Sequence, residues 1–238
     1  MAGHSKWANI KHRKAAQDAK RGKVFTRIVK EITIAAKEGG GDLSGNPRLR
    51  TLVEKARAVN MPQENYVRAI KKGTGELPGV NYEAQMYEGH GPHNIAIIVE
   101  TLTDNKNRTA SEVRRIFSRG GGSLGSNGSV GWMFNRLGMI KVVKTNQTED
   151  NLLEMLQDYD IRDINFGDEF IFITCDPTST DLIRKVLEEA GMKVESAELE
   201  WVAKESIELD DAAAEIAIQF LQELEELDDV QNVYTNLG

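Results

Sequence analysis

The hydrophobic period changes once along this chain, near Glu76-Leu77-Pro78-Gly79, and that change limits what it can fold into. Before it, apolar residues recur at three- and four-residue steps. Val24, Phe25, Ile28, Val29, Ile32, Ala35 and Ala36 mark one face of a first helix. Gly39-Gly40-Gly41 stops that helix, because glycine frees the backbone. Asn46 can cap a second helix and Pro47 fits its first position, with Leu49, Leu52, Val53, Ala56 and Val59 facing inward. A third helix is predicted from about Pro62, with Asn60 or Met61 as its cap. Tyr66, Val67 and Ile70 face inward, and Gly73 and Gly75 end it. Compatible stripes over residues 23–73 predict a small all-α unit.

Beyond the turn the pattern is that of strands. Tyr82–Tyr87 and Asn94–Thr101 are joined by a turn at Gly89-His90-Gly91-Pro92, and the second run is continuous and β-branched, as in a central strand. Thr109-Ala110-Ser111-Glu112 reads as a capping box opening a helix through Arg119, with Val113, Ile116 and Phe117 inside. Ser129–Phe134 reads as extended. From Gly138 the predicted order is strand, helix, strand, strand, helix, strand. These span Met139–Lys144, Asn151–Gln157, Ile161–Phe166, Glu169–Thr174, a helix from Thr178 to Ala190, and Lys193–Ala197. That βαββαβ order is the ferredoxin-like pattern. An acidic helix, Asp210–Leu227, precedes a last strand, Val230–Tyr234. A lone terminal strand needs a sheet, and the sheet of residues 82–134 is the predicted one. The predicted fold class is α+β with three domains. These are an N-terminal three-helix domain at 1–75, a discontinuous α/β domain at 76–135 and 205–238, and a ferredoxin-like α/β domain at 136–204.

Charge is divided as sharply as the period. The net charge of −7 argues by itself against a nucleic-acid binder. Residues 1–75, however, hold 17 Lys+Arg and 6 Asp+Glu, or +11, and the remaining 13 bases and 31 acids give −18. A basic contact surface mounted on an acidic body is the reading that fits. Cys175 is the only cysteine, so no intrachain disulfide or cysteine-based zinc site can form, which suits the cytosol. The longest apolar run, Ile95–Val99, is too short to span a bilayer, and the N-terminus lacks the apolar core of a secretory signal.

The candidate nucleic-acid-binding residues follow from that surface. Lys6, Lys11, Arg13, Lys14, Lys20, Arg21 and Lys23 would hold phosphates, Trp7 and His12 would stack on bases, and Arg27 would continue the face onto the first helix. Lys30 continues that face with Arg27, and Arg48, Arg50, Lys55, Arg57, Arg68, Lys71 and Lys72 could widen it, or serve as solvated surface charge. Secondary contacts are read at Arg108 and at Gly121, Gly122 and Ser123. The glycine cluster could offer backbone N–H groups to a phosphate, though it lacks the Gly-Lys-Ser/Thr ending of a P-loop. Arg108 could equally belong to a turn built by Asp104 and Asn107. Glu88, His90 and His93 carry the one metal spacing, which a solvated turn explains as well. No nucleophile elbow or acid–base pair stands out, so no catalytic residue, metal or cofactor is assigned. The acidic C-terminal domains could carry protein partners.

The segments GHSKWANIKHRKAAQDAKRGKVFTRIVKEI at 3–32, NMPQENYVRAIKKGTG at 60–75, YEGHGP at 87–92, TDNKNRT at 103–109 and GGSLGSNGSVGWMF at 121–134 resemble the YebC family. Its members are known as probable transcriptional regulatory proteins, and a mitochondrial relative is a translational activator of a cytochrome c oxidase subunit. The resemblance implies a three-domain α/β fold with a helical N-terminal domain and a cytoplasmic location. It also implies DNA binding, as in some bacterial members, or action on translating ribosomes, as in others, including relief of stalling at proline-rich sequences. The expected function is therefore a non-enzymatic, nucleic-acid-binding regulator of gene expression acting on DNA. The alternatives are a translation factor bound to ribosomal RNA or tRNA and, more remotely, an enzyme for a phosphorylated ligand.

Overall fold

Glycine and asparagine at two helix junctions set the geometry of the N-terminal unit. The computed structural model describes residues 21–238, with Arg21 described in its backbone alone. Helix α1 spans Arg21–Gly39, α2 Pro47–Ala58 and α3 Gln63–Gly73. Gly40 takes φ +80°, the left-handed conformation that closes a helix, and its N–H returns to the Ala36 carbonyl. Asn46 caps α2 as its sequence position predicts, accepting from the Leu49 N–H at 3.0 Å. Its amide nitrogen also donates to the carbonyls of Ala35 (2.8 Å) and Gly40 (2.9 Å), so one buried side chain satisfies the end of α1 and the start of α2. Asn46→Ala should lower the melting temperature by several degrees, from about 1–2 kcal/mol for the cap and more for the carbonyls left unpaired, as thermal unfolding would record. Ile28, Ile32, Ala35, Leu49, Leu52, Val53, Met61, Tyr66 and Ala69 form the core of the unit. Asn60, read as a candidate cap of α3, instead sits at φ +57° just beyond α2, and Pro62 precedes α3 without a side-chain cap.

The first sheet has the order β3-β1-β2-β8, every pairing antiparallel. β1 is Glu83–His90, β2 Ala96–Thr103, β3 Ser123–Leu124 and β8 Val230–Thr235. The C-terminal strand joins β2, as its need for a sheet predicts. Alternate residues of β2 face opposite ways. Ile97 and Val99 pack under α4 (Lys106–Arg119) and α7 (Asp211–Glu225), where Phe117 and Phe220 meet edge to face at 5.3 Å. Ala96 and Ile98 face the other way, with Tyr234, onto Val130 and Phe134.

The second sheet has the order β5-β6-β4-β7, also fully antiparallel, which is the arrangement of a βαββαβ fold. Its elements are β4 (Phe134–Val143), α5 (Glu149–Met155), β5 (Ile161–Phe166), β6 (Phe170–Cys175), α6 (Thr180–Glu189) and β7 (Val194–Ala203). Ile140, Val142, Ile171, Ile173 and Cys175 pack against Leu152, Ile183 and Leu187 of the two helices. β4 and β7 are longer than their apolar pattern suggests. Their far ends carry Phe134, Trp201 and Ala203 onto the open face of the first sheet. There the Glu100 carboxylate accepts from Arg136 (2.9 Å), Trp201 (3.0 Å), Tyr234 (3.2 Å) and Asn232 (3.3 Å), which joins the two sheets through one side chain.

Candidate nucleic-acid interface

Lys6, Trp7, Lys11, His12, Arg13, Lys14 and Lys20 lie outside the described residues, as does the side chain of Arg21. The described part of the expected interface begins at Lys23. Lys23, Arg27 and Lys30 recur at steps of four and three, so they share one face of α1. That face meets the C-terminal end of α7. Lys23 Nζ donates to the carbonyl of Glu226, and Arg27 Nη2 donates to that of Glu225 at 2.8 Å. The last carbonyls of a helix have no partner within it and carry the negative end of its dipole, so cations are drawn to them. α7 has no base in its own last turn. Burial lowers the Arg27 pKa against the opposing pull of Glu225 and Glu31. Sequence reading assigns Lys23 and Arg27 to phosphate. In the structure both donate within the chain, to the C-terminal end of α7.

Lys30 goes deeper. The residue is 5 % exposed, and its ammonium donates to Asp229 Oδ1 at 2.7 Å and to the carbonyls of Asp228 (2.9 Å) and Leu102 (3.2 Å). The same Asp229 carboxylate accepts from Arg108 Nη2 (2.6 Å), Thr109 Oγ1 (2.7 Å) and Thr103 Oγ1 (3.1 Å). Burial would raise its pKa, but hydrogen bonds from Arg108, Lys30 and Thr109 outweigh burial and hold it well below the usual carboxylate range. Arg108 is held by Asp229 and by Asp104 at 2.8 Å, and its pKa is raised by both. Thr109 does not cap α4. The helix opens at Lys106 with Asn105 as the cap, and Thr109 faces the carboxylate instead.

Backbone N–H groups in the loop that follows the predicted glycine cluster do hold an anion, but they belong to Gly128, Val130 and Gly131, and the anion is the chain's own. Glu88, 2 % exposed, accepts from the N–H groups of Gly128 (2.8 Å), Val130 (2.9 Å) and Gly131 (2.6 Å). Burial raises its pKa and the three N–H bonds lower it, with a net lowering. This also removes Glu88 from the metal spacing with His90 and His93. Among the described residues no cluster of three or more His, Cys, Asp or Glu is placed to hold a metal ion. Gly121 sits at φ +74°. The Gly122 N–H returns to the Phe117 carbonyl, and a Cβ there would come within 2.5 Å of the His90 carbonyl oxygen. Ser123 pairs with His90 in β3. Gly121, Gly122 and Ser123 therefore serve a sharp turn from α4 into β3. Glu88→Ala should cost about 2–4 kcal/mol, since three part-buried donors lose a charged acceptor. Hydrogen exchange at Gly128, Val130 and Gly131 should change from slow to fast, and unchanged protection there would contradict this account of the loop.

Lys37 at the end of α1 donates to Asn81 Oδ1, and the other remaining described cations of the helical unit divide in two. Arg48 pairs with Glu38 (2.5 Å), Lys55 pairs with Glu198 of β7 (2.6 Å), and Arg50 donates to the carbonyls of Leu43 and Ser44. Arg57, Arg68, Lys71 and Lys72 are exposed and form no ion pair with another described residue. Arg57 stands 5.9 Å over the Tyr66 ring, and with Lys71 it flanks an open groove of about 550 Å³ floored by Tyr66, Val67 and Ile70. These groups can hold phosphate. No described helix is long and apolar enough to cross a membrane.

Comparison with known proteins places this arrangement. A profile for the TACO1/YebC protein N-terminal domain matches residues 5–76, and one for the TACO1/YebC second and third domain matches residues 82–237. A Chlorobaculum tepidum protein named "Probable transcriptional regulatory protein" is 52% identical over 238 residues, covering 100% of this chain and 95% of its own. A protein of the same name from Thermoanaerobacter pseudethanolicus is 51% identical over 238 residues, covering 100% of this chain and 97% of its own. The crystal structure of a conserved hypothetical protein from Aquifex aeolicus superposes with a TM-score of 0.83 at 42% identity, over 92% of this chain and 90% of that one. The profiles and the full-length relatives agree with the three-helix unit and two α/β units described above, and the chain belongs to the TACO1/YebC family, with relatives named as regulators of transcription.

Proposed function

We propose that this chain is a non-enzymatic regulator that acts by binding nucleic acid, with duplex DNA as its target, through the basic region at residues 1–75. The observation that carries the reading is the separation of charge, +11 over that region against −18 over the remainder. Lys23, Arg27 and Lys30 bond within the fold, and with those three set aside the region still sums to +8 (14 bases less six acids). Anchoring those three gives the residues before them a fixed root. Relatives named as transcriptional regulators favour DNA over RNA as the polymer. Phosphate contacts position a protein without reading sequence, so modest sequence preference and strong salt dependence are expected. The cytoplasm, to which the single cysteine is suited, is the proposed setting.

Fluorescence anisotropy of the full chain with a duplex DNA of about 30 base pairs, beside a structured RNA of equal charge, tests this across 50–200 mM salt. Affinity for DNA should fall linearly on logarithmic axes as salt rises. Tighter binding of the RNA would move the target and overturn the DNA assignment. Binding of neither polymer, or binding indifferent to salt, would overturn the whole reading.

A further inference from the structure

Outside residues 1–75 the chain has 13 bases, and α4 alone carries Lys106, Arg108, Arg114, Arg115 and Arg119, with Glu112 as its one acid. The rest of that body has 8 bases (13 less 5) against 30 acids (31 less 1). One strongly cationic helix in so acidic a body is not a solvated average. Nor does helix stability explain it. The first turn of α4 has no acid and two bases, although cations are disfavoured at that end of the dipole.

Three of the five cations have partners within the chain. Lys106 meets Glu83 at 2.5 Å, Arg108 meets Asp104 and Asp229, and Arg119 meets Glu223 of α7. Arg114 and Arg115 are exposed and form no ion pair with any described residue, Glu112 included. Asn107, Ser111, Arg114, Arg115 and Ser118 are all exposed, and their spacing places them within about 100° of the helix face. Beside that face Arg108, Arg115 and Arg119 form a row about 16 Å long. The row does not stand alone. Arg108 shares the Asp229 carboxylate with Lys30 of α1, so the cationic helix begins where the basic unit docks.

We propose that the outer face of α4, with Arg114 and Arg115 as its phosphate ligands and Asn107, Ser111 and Ser118 as polar neighbours, is a second binding site for the sugar–phosphate backbone of nucleic acid. This rests on the nucleic-acid reading above and extends the contact from the N-terminal region onto the acidic body. Guanidinium groups suit the site because each can hold a phosphate through two parallel N–H bonds. The same face could attract an acidic peptide, but the adjoining basic unit favours a polymer long enough to touch both.

The test uses the full chain and three variants: Arg114→Ala/Arg115→Ala, a control pair Lys185→Ala/Lys193→Ala elsewhere on the exposed surface, and a chain lacking residues 1–20. Each is titrated with the same duplex DNA from 50 to 200 mM salt. The α4 variant should keep its melting temperature, and the slope of log affinity against log salt should fall by about two, with affinity about tenfold weaker at 100 mM. The control pair should leave both unchanged. If the chain lacking residues 1–20 binds weakly while the α4 variant matches wild type, the α4 site is refuted and the nucleic-acid reading stands. If wild type shows no salt-dependent binding, that reading fails and takes this site with it. Competition by polyglutamate as effective as that by DNA of equal charge would assign the face to an acidic peptide and overturn the proposal.

Discussion

Asp229→Ala should lower the melting temperature by about 10 °C, from a loss of about 3–5 kcal/mol. Asp229 is 4 % exposed and is the only carboxylate that the described structure brings to Lys30, itself 5 % exposed. Forming such a pair gains little, because burial costs both charges their hydration. Removing one partner is expensive, because the other stays buried and uncompensated. In the variant Lys30 would keep only the carbonyls of Asp228 and Leu102, and Thr109 and Thr103 would lose an acceptor. Arg108 has a half-exposed side chain and would turn to water and Asp104, so it adds little to the loss. Hydrogen exchange along α1 should rise along with the thermal loss, since Asp229 holds the most deeply buried of the cations that join that helix to the α/β body. A melting temperature within about 2 °C of wild type would refute this assignment.

The same carboxylate predicts an acid limb. Its folded pKa lies below its unfolded value of about 3.9, so its contribution is fully present above that value and drains away as pH falls from there through the lower folded pKa. Asp229→Asn, which cannot titrate, should be destabilised at neutral pH and lose less further stability than wild type below about pH 4. Parallel acid unfolding curves for the two chains would contradict the depressed pKa.

Periodicity made the elements legible because burial acts locally. The stripe Leu49, Leu52, Val53 and Ala56 is an α2 face whatever covers it, and the strand pattern at 161–166 reappears as β5. The terminal strand found its sheet because an unpaired strand has few other places to go. Charges were less legible, because their meaning depends on partners far away in sequence. Arg27 and Lys30 look like a phosphate-binding face until residues 225–229, some 198 positions later, are brought against them. One signal did exist: the acidic run at the end of α7 has no cation of its own and must obtain one elsewhere. Glu88 shows the same limit. Beside two histidines it suggested a metal, and only the return of the loop 40 residues on revealed the N–H groups that it accepts. At Thr109 a capping motif fits the sequence, but Asn105 starts the helix first and frees the threonine for Asp229.

Removing residues 1–20 should weaken nucleic-acid binding far more than it weakens the fold. The deletion takes Lys6, Lys11, Arg13, Lys14 and Lys20 and leaves α1 anchored through Lys23, Arg27 and Lys30. The melting temperature should therefore stay close to wild type. Each phosphate contact contributes about 0.9 to the salt slope on duplex DNA, so losing these cations should lower it by about four. Affinity at 100 mM salt should drop about 100- to 1,000-fold.

The salt slope of that truncated chain on duplex DNA, measured beside full-length protein, bears most directly on the basic region as the seat of function. A slope reduced by about four with the fold intact is the expected result. A truncated chain with the affinity and slope of the full-length protein would contradict it.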